Sequence, residues 1–242
     1  MSTWKNWAWK AEIDWSSPPA KTLDVFTRFL AADRDFRETT ITVFGSAPLE
    51  MCLSLPVNSA DVDTMSDQFQ QLIQVNLQRQ NPTVGMEPHL QFVMPGIFRP
   101  AQSWALRAER QSRNDIQLLL PHPIDLLFGK LHRLAEKDFL AFDLLRERFQ
   151  RPSHEDIDQY CKENPDIFLS SPEEVVNLCN NIEVLCGYYR WELIPVQDYA
   201  ARALQELQKI RAEGKKVSRI REKLIRGYQP PDEKNRPKPR ER

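Results

Sequence analysis

The sequence lacks an uninterrupted apolar run of the about eighteen residues that a membrane helix needs, so no membrane span is expected. The opening Met1-Ser2-Thr3-Trp4-Lys5-Asn6-Trp7 has neither the apolar stretch nor the small-residue cleavage site of a secretory signal, which makes cytoplasmic residence the expectation. There is no internal repeat. Cysteine is scarce: Cys52, Cys161, Cys179 and Cys186 form no Cys-x-x-Cys pair and sit among apolar neighbours. That spacing excludes a zinc site and predicts buried, reduced thiols. The four histidines, His89, His122, His132 and His154, show no metal-binding helical spacing, and no serine or cysteine nucleophile is recognisable beside them.

What is present is ordinary for a globular chain of 242 residues: 41% hydrophobic and 28% charged. The net charge of −1 conceals an asymmetry. Residues 209–242 hold 13 Lys or Arg against 5 Asp or Glu, a local +8, which leaves 20 basic against 29 acidic residues, or −9, on the remainder. A basic tail on an acidic body suggests an intramolecular clamp or an arm for an anionic partner. The opening residues 4–15 hold four of the six tryptophans, interleaved with Lys5 and Lys10. Such a segment can stack on nucleic acid, but packing anchors are the favoured reading.

The periodicity predicts a helix after Ser17-Pro18-Pro19, with Leu23, Phe26, Phe29 and Leu30 on one face. A strand at 41–44 then turns at Gly45-Ser46 into a helix over 47–55. A second strand over 59–64 precedes a helix over 67–80. Strands follow at 90–94 and 116–120, separated by an irregular or partly helical stretch over 95–114. Beyond Pro123 the pattern is helical: one bent helix or two short ones over 124–150, helices opened by Ser153/Asp156 and Ser171/Glu174, and a last one over 196–212 that Gly214 would end.

Chemistry concentrates where Val43-Phe44-Gly45-Ser46 is followed, sixteen residues after the glycine, by Asp61-Val62-Asp63. Gly45 permits a sharp turn and close backbone approach to a ligand, and Ser46 stands at a helix start, where free N–H groups attract phosphate. Asp61 and Asp63 lie two apart in a strand, so both carboxylates share a face. Paired carboxylates suit Mg²⁺ or Mn²⁺ when phosphate oxygens and water complete the shell. Strand, Gly-Ser turn, helix, and strand with Asp-x-Asp thus converge on a nucleoside triphosphate and its metal.

In this order the motifs resemble those of the polymerase-beta-like nucleotidyltransferase superfamily. Pro123-Ile124-Asp125-Leu126-Leu127-Phe128-Gly129-Lys130 is similar to the second block of the AbiEii-type toxin nucleotidyltransferases. The match covers residues 40–145. The resemblance implies an α/β (α+β) domain over residues 1–122 whose mixed sheet is flanked by helices. Periodicity adds a helical domain over 123–212, and composition a disordered, flexible basic tail over 213–242. It implies that Asp61 and Asp63 bind metal and serve catalysis, that Gly45, Ser46 and Lys130 meet the phosphates, and that Asp138 or Asp143 helps arrange the site. The implied reaction moves a nucleotidyl group from an NTP to a hydroxyl of RNA, protein or small molecule, in a toxin–antitoxin or defence setting.

Two features of the residues pull the other way. Lys130, Arg133 and Lys137 at offsets of three and four also fit one solvated helix stripe, and Asp138 and Asp143 lie about 140° apart around a helix. The strand that should supply a third carboxylate reads His89-Leu90-Gln91-Phe92-Val93, with neutral Gln91 at the facing position. Glu87, about 13 Å away along an extended strand, and Asp67 are the candidate substitutes. A non-catalytic binding or regulatory module of the same fold is therefore the alternative.

Overall fold

The computed structural model describes residues 4–7, 13–37, 39–77, 81–94 and 96–227. Its centre is a five-stranded mixed sheet in the order β3-β2-β1-β5-β4. The strands are β1 Thr40–Phe44, β2 Asp61–Ser66, β3 His89–Phe92, β4 Glu109–Arg113 and β5 Ile116–Leu120. β1 pairs antiparallel with β2 and parallel with β5; β2 pairs parallel with β3, and β4 antiparallel with β5.

The burial of each strand follows from its place. Central β1 carries Ile41 and Val43 fully buried and Thr42 and Phe44 nearly so, the two-sided burial of a strand covered on both faces. β2 alternates, with Val62 and Thr64 fully buried and Asp61 and Asp63 on the opposite, half-open face. α1, Pro18–Ala31, starts at its proline pair and docks Leu23, Phe26 and Leu30 into the core. Its Thr22 hydroxyl donates to the Pro88 carbonyl at 2.6 Å, and Phe26 meets Phe92 edge-on.

α2 is Ala47–Leu53 and α3 is Phe69–Leu77; residues 78–80 of the expected helix lie outside the described ones. α4, Trp104–Arg107, is a single turn. The helical run after Pro123 resolves into α5, Pro123–Leu131, and α6, Glu136–Phe149. α7, His154–Glu163, and α8, Pro172–Tyr189, both open on the capping boxes their serines announce. α9, Val196–Gly227, corrects the expected stop: it runs through Gly214 to Gly227. One glycine costs a helix about 1 kcal/mol, and the Lys, Arg and Glu around it are good helix formers that let the helix continue. Residues 228–242 of the basic tail lie outside the described residues.

Strand β4 was not expected. Glu109-Arg110-Gln111-Ser112-Arg113 has no apolar residue, as suits an edge strand that pairs, among the described residues, with β5 alone. Contacts divide the chain into two compact units, Met1–Ala200 and Ala201–Arg242. All four cysteines are free and buried, as their apolar neighbours predict. Trp4 and Trp7 are buried packing anchors against His122, and Trp4 also meets Tyr160, which favours the packing reading of the tryptophan segment. Trp9 and Lys10 lie outside the described residues. No helix among the described residues is long and apolar enough to cross a membrane.

Candidate functional site

A cleft of about 760 Å³ opens beside the sheet, and Gly45, Ser46, Asp61, Asp63 and Lys130 all line it. They arrive from separate elements: the β1–α2 turn, strand β2 and helix α5.

Gly45 has φ +74, a left-handed conformation that L side chains rarely adopt. A Cβ there would lie 2.3 Å from Asp63 Oδ2. The missing side chain thus does two things: it allows the turn, and it lets the Asp63 carboxylate lie against the turn's backbone. Asp63 is held above the ordinary carboxyl range by burial and by the neighbouring Asp61, and Lys130, Arg133 and Lys137 oppose the rise. Asp61 lies more open, with its Oδ1 3.1 Å from His89 Nδ1. A buried carboxylate facing a second one is a site short of positive charge.

Lys130 supplies part of that charge. Its side chain is 7% exposed, which overturns the reading of Lys130, Arg133 and Lys137 as one solvated stripe. α5 ends at Leu131 and α6 starts at Glu136, so the three residues do not share a helix. Lys130 Nζ donates to Ser46 Oγ at 2.8 Å and to Asp138 Oδ1 at 3.3 Å. Burial pulls the ammonium below the usual lysine range, and the Asp138 carboxylate opposes that. Asp138 is 1% exposed and accepts from two of the Arg133 guanidinium nitrogens, Nε at 3.0 Å and Nη2 at 2.8 Å, and from the Ala135 N–H at 2.9 Å. Burial raises its pKa, but these donors and Lys130 outweigh it and hold the carboxyl below its usual range.

Of the two aspartates suggested for arranging the site, Asp138 therefore positions Lys130. Asp143 does not line the cleft: it accepts from the hydroxyls of Tyr188 and Tyr189. Ser46 caps nothing with its side chain, which is given over to Lys130, and α2 behind it is only seven residues long. The positive charge near this turn thus comes from Lys130 and the exposed Arg133 and Lys137 more than from a helix dipole.

The register answers the question of the third carboxylate. Asp63 pairs with Gln91 and Asp61 with His89 across the parallel β2–β3 ladder, so the facing position is indeed neutral. Neither Glu87 nor Asp67 lines the cleft; Asp67 Oδ1 accepts from the Ser66 hydroxyl. Among the described residues no group of three or more His, Cys, Asp or Glu could hold a metal. Asp61 and Asp63 suit a divalent ion only as a two-carboxylate site whose other ligands are water and phosphate.

Sequence reasoning did not reach the far wall of the cleft, formed by Ile97, Phe98 and Arg99, by His132, and by Glu174 and Asn177 of α8. These residues stand up to about 80 positions apart in the chain and carry no common spacing, so no local signal marks them. Asp125, quoted only as part of a motif, is fully buried: Arg107 donates to it twice, at 3.1 and 2.6 Å, and the Tyr160 hydroxyl once, at 2.5 Å. It anchors α5 rather than facing the cleft. His122 accepts from the Ile124 N–H and contacts the Trp7 carbonyl, and burial pushes its pKa down to about 4, which fits a packing and capping role.

Comparison with protein-family models, with curated proteins and with solved structures finds no match to the chain.

Proposed function

We propose that the cleft binds a nucleoside triphosphate with Mg²⁺ or Mn²⁺, and that the chain is a metal-dependent nucleotidyltransferase. The observation that carries this reading is the convergence of Gly45, Ser46, Asp61, Asp63 and Lys130 on one cleft, from segments as far apart as residues 45 and 130. Asp61 and Asp63 would hold the metal, which when bound supplies positive charge to the triphosphate and its departing pyrophosphate. Gly45 lets the phosphates approach the turn. Lys130, oriented by Ser46 and Asp138, and the more open Arg133 and Lys137 neutralise the phosphate charge. An acceptor hydroxyl, of RNA or protein, would attack the α-phosphorus and lose its proton to solvent, while the bond from the α-phosphorus to the oxygen bridging it to the β-phosphorus breaks and pyrophosphate leaves with that oxygen. The toxin–antitoxin or defence setting rests on the family resemblance alone.

Gln91 favours a second reading, a nucleotide-binding module without catalysis. It stands in register with Asp63 and can neither hold the metal as a carboxylate does nor take the acceptor's proton.

Isothermal titration of the protein with each NTP, with and without Mg²⁺, tests the shared part of both readings. Metal-dependent binding that vanishes in the Asp61→Asn/Asp63→Asn variant supports the site. Transfer of label from α-³²P-NTP onto RNA or protein then supports the enzyme. Binding without any transfer leaves the module, and no binding to folded protein refutes both.

A further inference from the structure

The cleft is lined by residues of the unit Met1–Ala200, and the second unit offers a surface of another kind. Helix α9 runs for 32 residues, from Val196 to Gly227. An average helix in a globular protein has about 10–14. Its sequence carries a seven-residue repeat. Val196, Ala203, Ile210, Val217 and Leu224 stand seven apart, and Ala200, Leu207, Gly214 and Arg221 fall between them at offsets of four and three. Apolar residues spaced in this way form a seam that drifts slowly round a helix, and a second helix covers it by winding along it. In coiled-coil usage the Leu207 set is a and the Ile210 set is d.

The start of the seam is covered and its continuation is open. Val196, Ala200 and Ala203 are buried and Leu207 is half-buried, whereas Leu204, beside the seam, and Ile210, within it, leave 41% and 57% of their surface uncovered. Water meets Ile210 where the repeat calls for an apolar contact.

The charges beside the seam choose the partner and its direction. Glu206 and Glu213 stand at g positions and Arg211 at an e position. In a parallel pair of identical helices each g residue faces the e residue five places later on the other helix, so Glu206 meets Arg211 on both sides of the seam. An antiparallel pair sets g against g, Glu206 against Glu213, which repel. The contact Glu206 makes within its own helix, to Lys209 at 3.5 Å, is exposed and of small worth. Residues 201–227 hold 9 Lys or Arg against 3 Asp or Glu, a charge of +6. Lys209, Lys215, Lys216, Arg219, Lys223 and Arg226, however, occupy the outer b, c and f positions, where salt screens repulsion beyond about 8–10 Å.

We infer that α9 is a self-association helix, joined in parallel to α9 of a second copy of this chain along the seam from Leu207 to Leu224. The inference is independent of what the cleft binds. Gly214 and Arg221 interrupt the a side, which weakens the seam and favours two helices over more: a pair leaves a charged a residue at its edge, whereas a bundle of four encloses four of them.

The test is the mass of the full-length, nuclease-treated protein, by light scattering and sedimentation across a concentration series at low and high salt. Wild type is expected at twice the chain mass, and the pair persists at high salt. Ile210→Asp, at an exposed position that spares the fold of the monomer, should weaken pairing by about a hundredfold, since two isoleucines lose their burial. Glu206→Arg should weaken it by about tenfold, and adding Arg211→Glu to that variant should restore it. A monomer at every concentration, a pair that Ile210→Asp leaves intact, or a Glu206→Arg loss that Arg211→Glu does not rescue would each overturn the parallel seam. A mass of three or four copies overturns the pair. Association that nuclease or high salt abolishes overturns it as well, and makes α9 an arm for nucleic acid instead.

Discussion

Gly45 and Gln91 bear on the proposed chemistry from opposite sides. At Gly45 an alanine meets two penalties, the left-handed φ and the 2.3 Å approach to Asp63 Oδ2. The backbone strain alone is worth about 1–2 kcal/mol, and the collision can be relieved only by moving Asp63. Gly45→Ala should therefore lower Tm modestly and lower Mg²⁺-dependent NTP binding far more, as thermal melts run beside titrations will show. A variant that loses stability but keeps binding would mean that Asp63 is not the group the turn protects. Gln91→Glu works in the other direction. It places a third carboxylate in register with Asp63, and a hard divalent ion gains from each added negative ligand. Mg²⁺ affinity should rise by about tenfold, equivalent to about 1.4 kcal/mol. Without metal the same change should destabilise the fold, because Asp63 already suffers from burial and from Asp61. An opposite-signed effect with and without Mg²⁺ in thermal melts is the signature; a substitution neutral in both would remove Gln91 from the site.

At the scale of elements, the site depends on how α5 meets α6. Lys130 at the end of α5 and Asp138 in the first turn of α6 are both buried, whereas Arg133 between the helices is 59% exposed. Asp138→Ala leaves the buried ammonium without its carboxylate hydrogen-bond partner, keeping the Ser46 hydroxyl and the neighbouring Asp63 charge, a situation that costs about 3–5 kcal/mol. Lys130→Met is milder, since Asp138 keeps Arg133 and the Ala135 N–H. Denaturant melts should order the variants that way and show the double mutant less destabilised than the sum. The pH dependence has a fixed sign. The folded-state pKa of Asp138 is depressed, so its contribution is present above the unfolded carboxyl pKa and is lost as pH falls through the folded value. The gap between wild type and Asp138→Ala should close in acid. These helices also show how far a linear reading reaches. β1, the Gly-Ser turn and β2 were legible because strand burial and turn chemistry are local, whereas Lys130 was singled out only by the resemblance of the block before it. The Lys130–Asp138 contact, the β4 edge and the wall from Arg99, His132 and Asn177 were not. They exist only once α5, α6 and α8 have packed, and β4 has no apolar residue to betray it.

At the scale of the whole molecule, charge and structure divide the chain at nearly the same place. The cleft is lined wholly by residues of the unit Met1–Ala200, while residues 209–242 carry the local charge of +8. If the tail serves as an arm for an anionic acceptor such as RNA, its contribution is counterion release. Log affinity then falls with log salt by about 0.7 per phosphate neutralised on a single strand. Ending the chain at residue 212 removes 11 of the 13 basic residues counted from 209. The shortened protein should bind single-stranded RNA more weakly and with a shallower salt slope, read by fluorescence anisotropy across a salt series. Its NTP affinity should stay that of the full chain, because no cleft residue has been touched. If NTP binding instead tightens or weakens on truncation while RNA binding is unchanged, the tail acts on the acidic body as a clamp, and the acceptor must be recognised elsewhere.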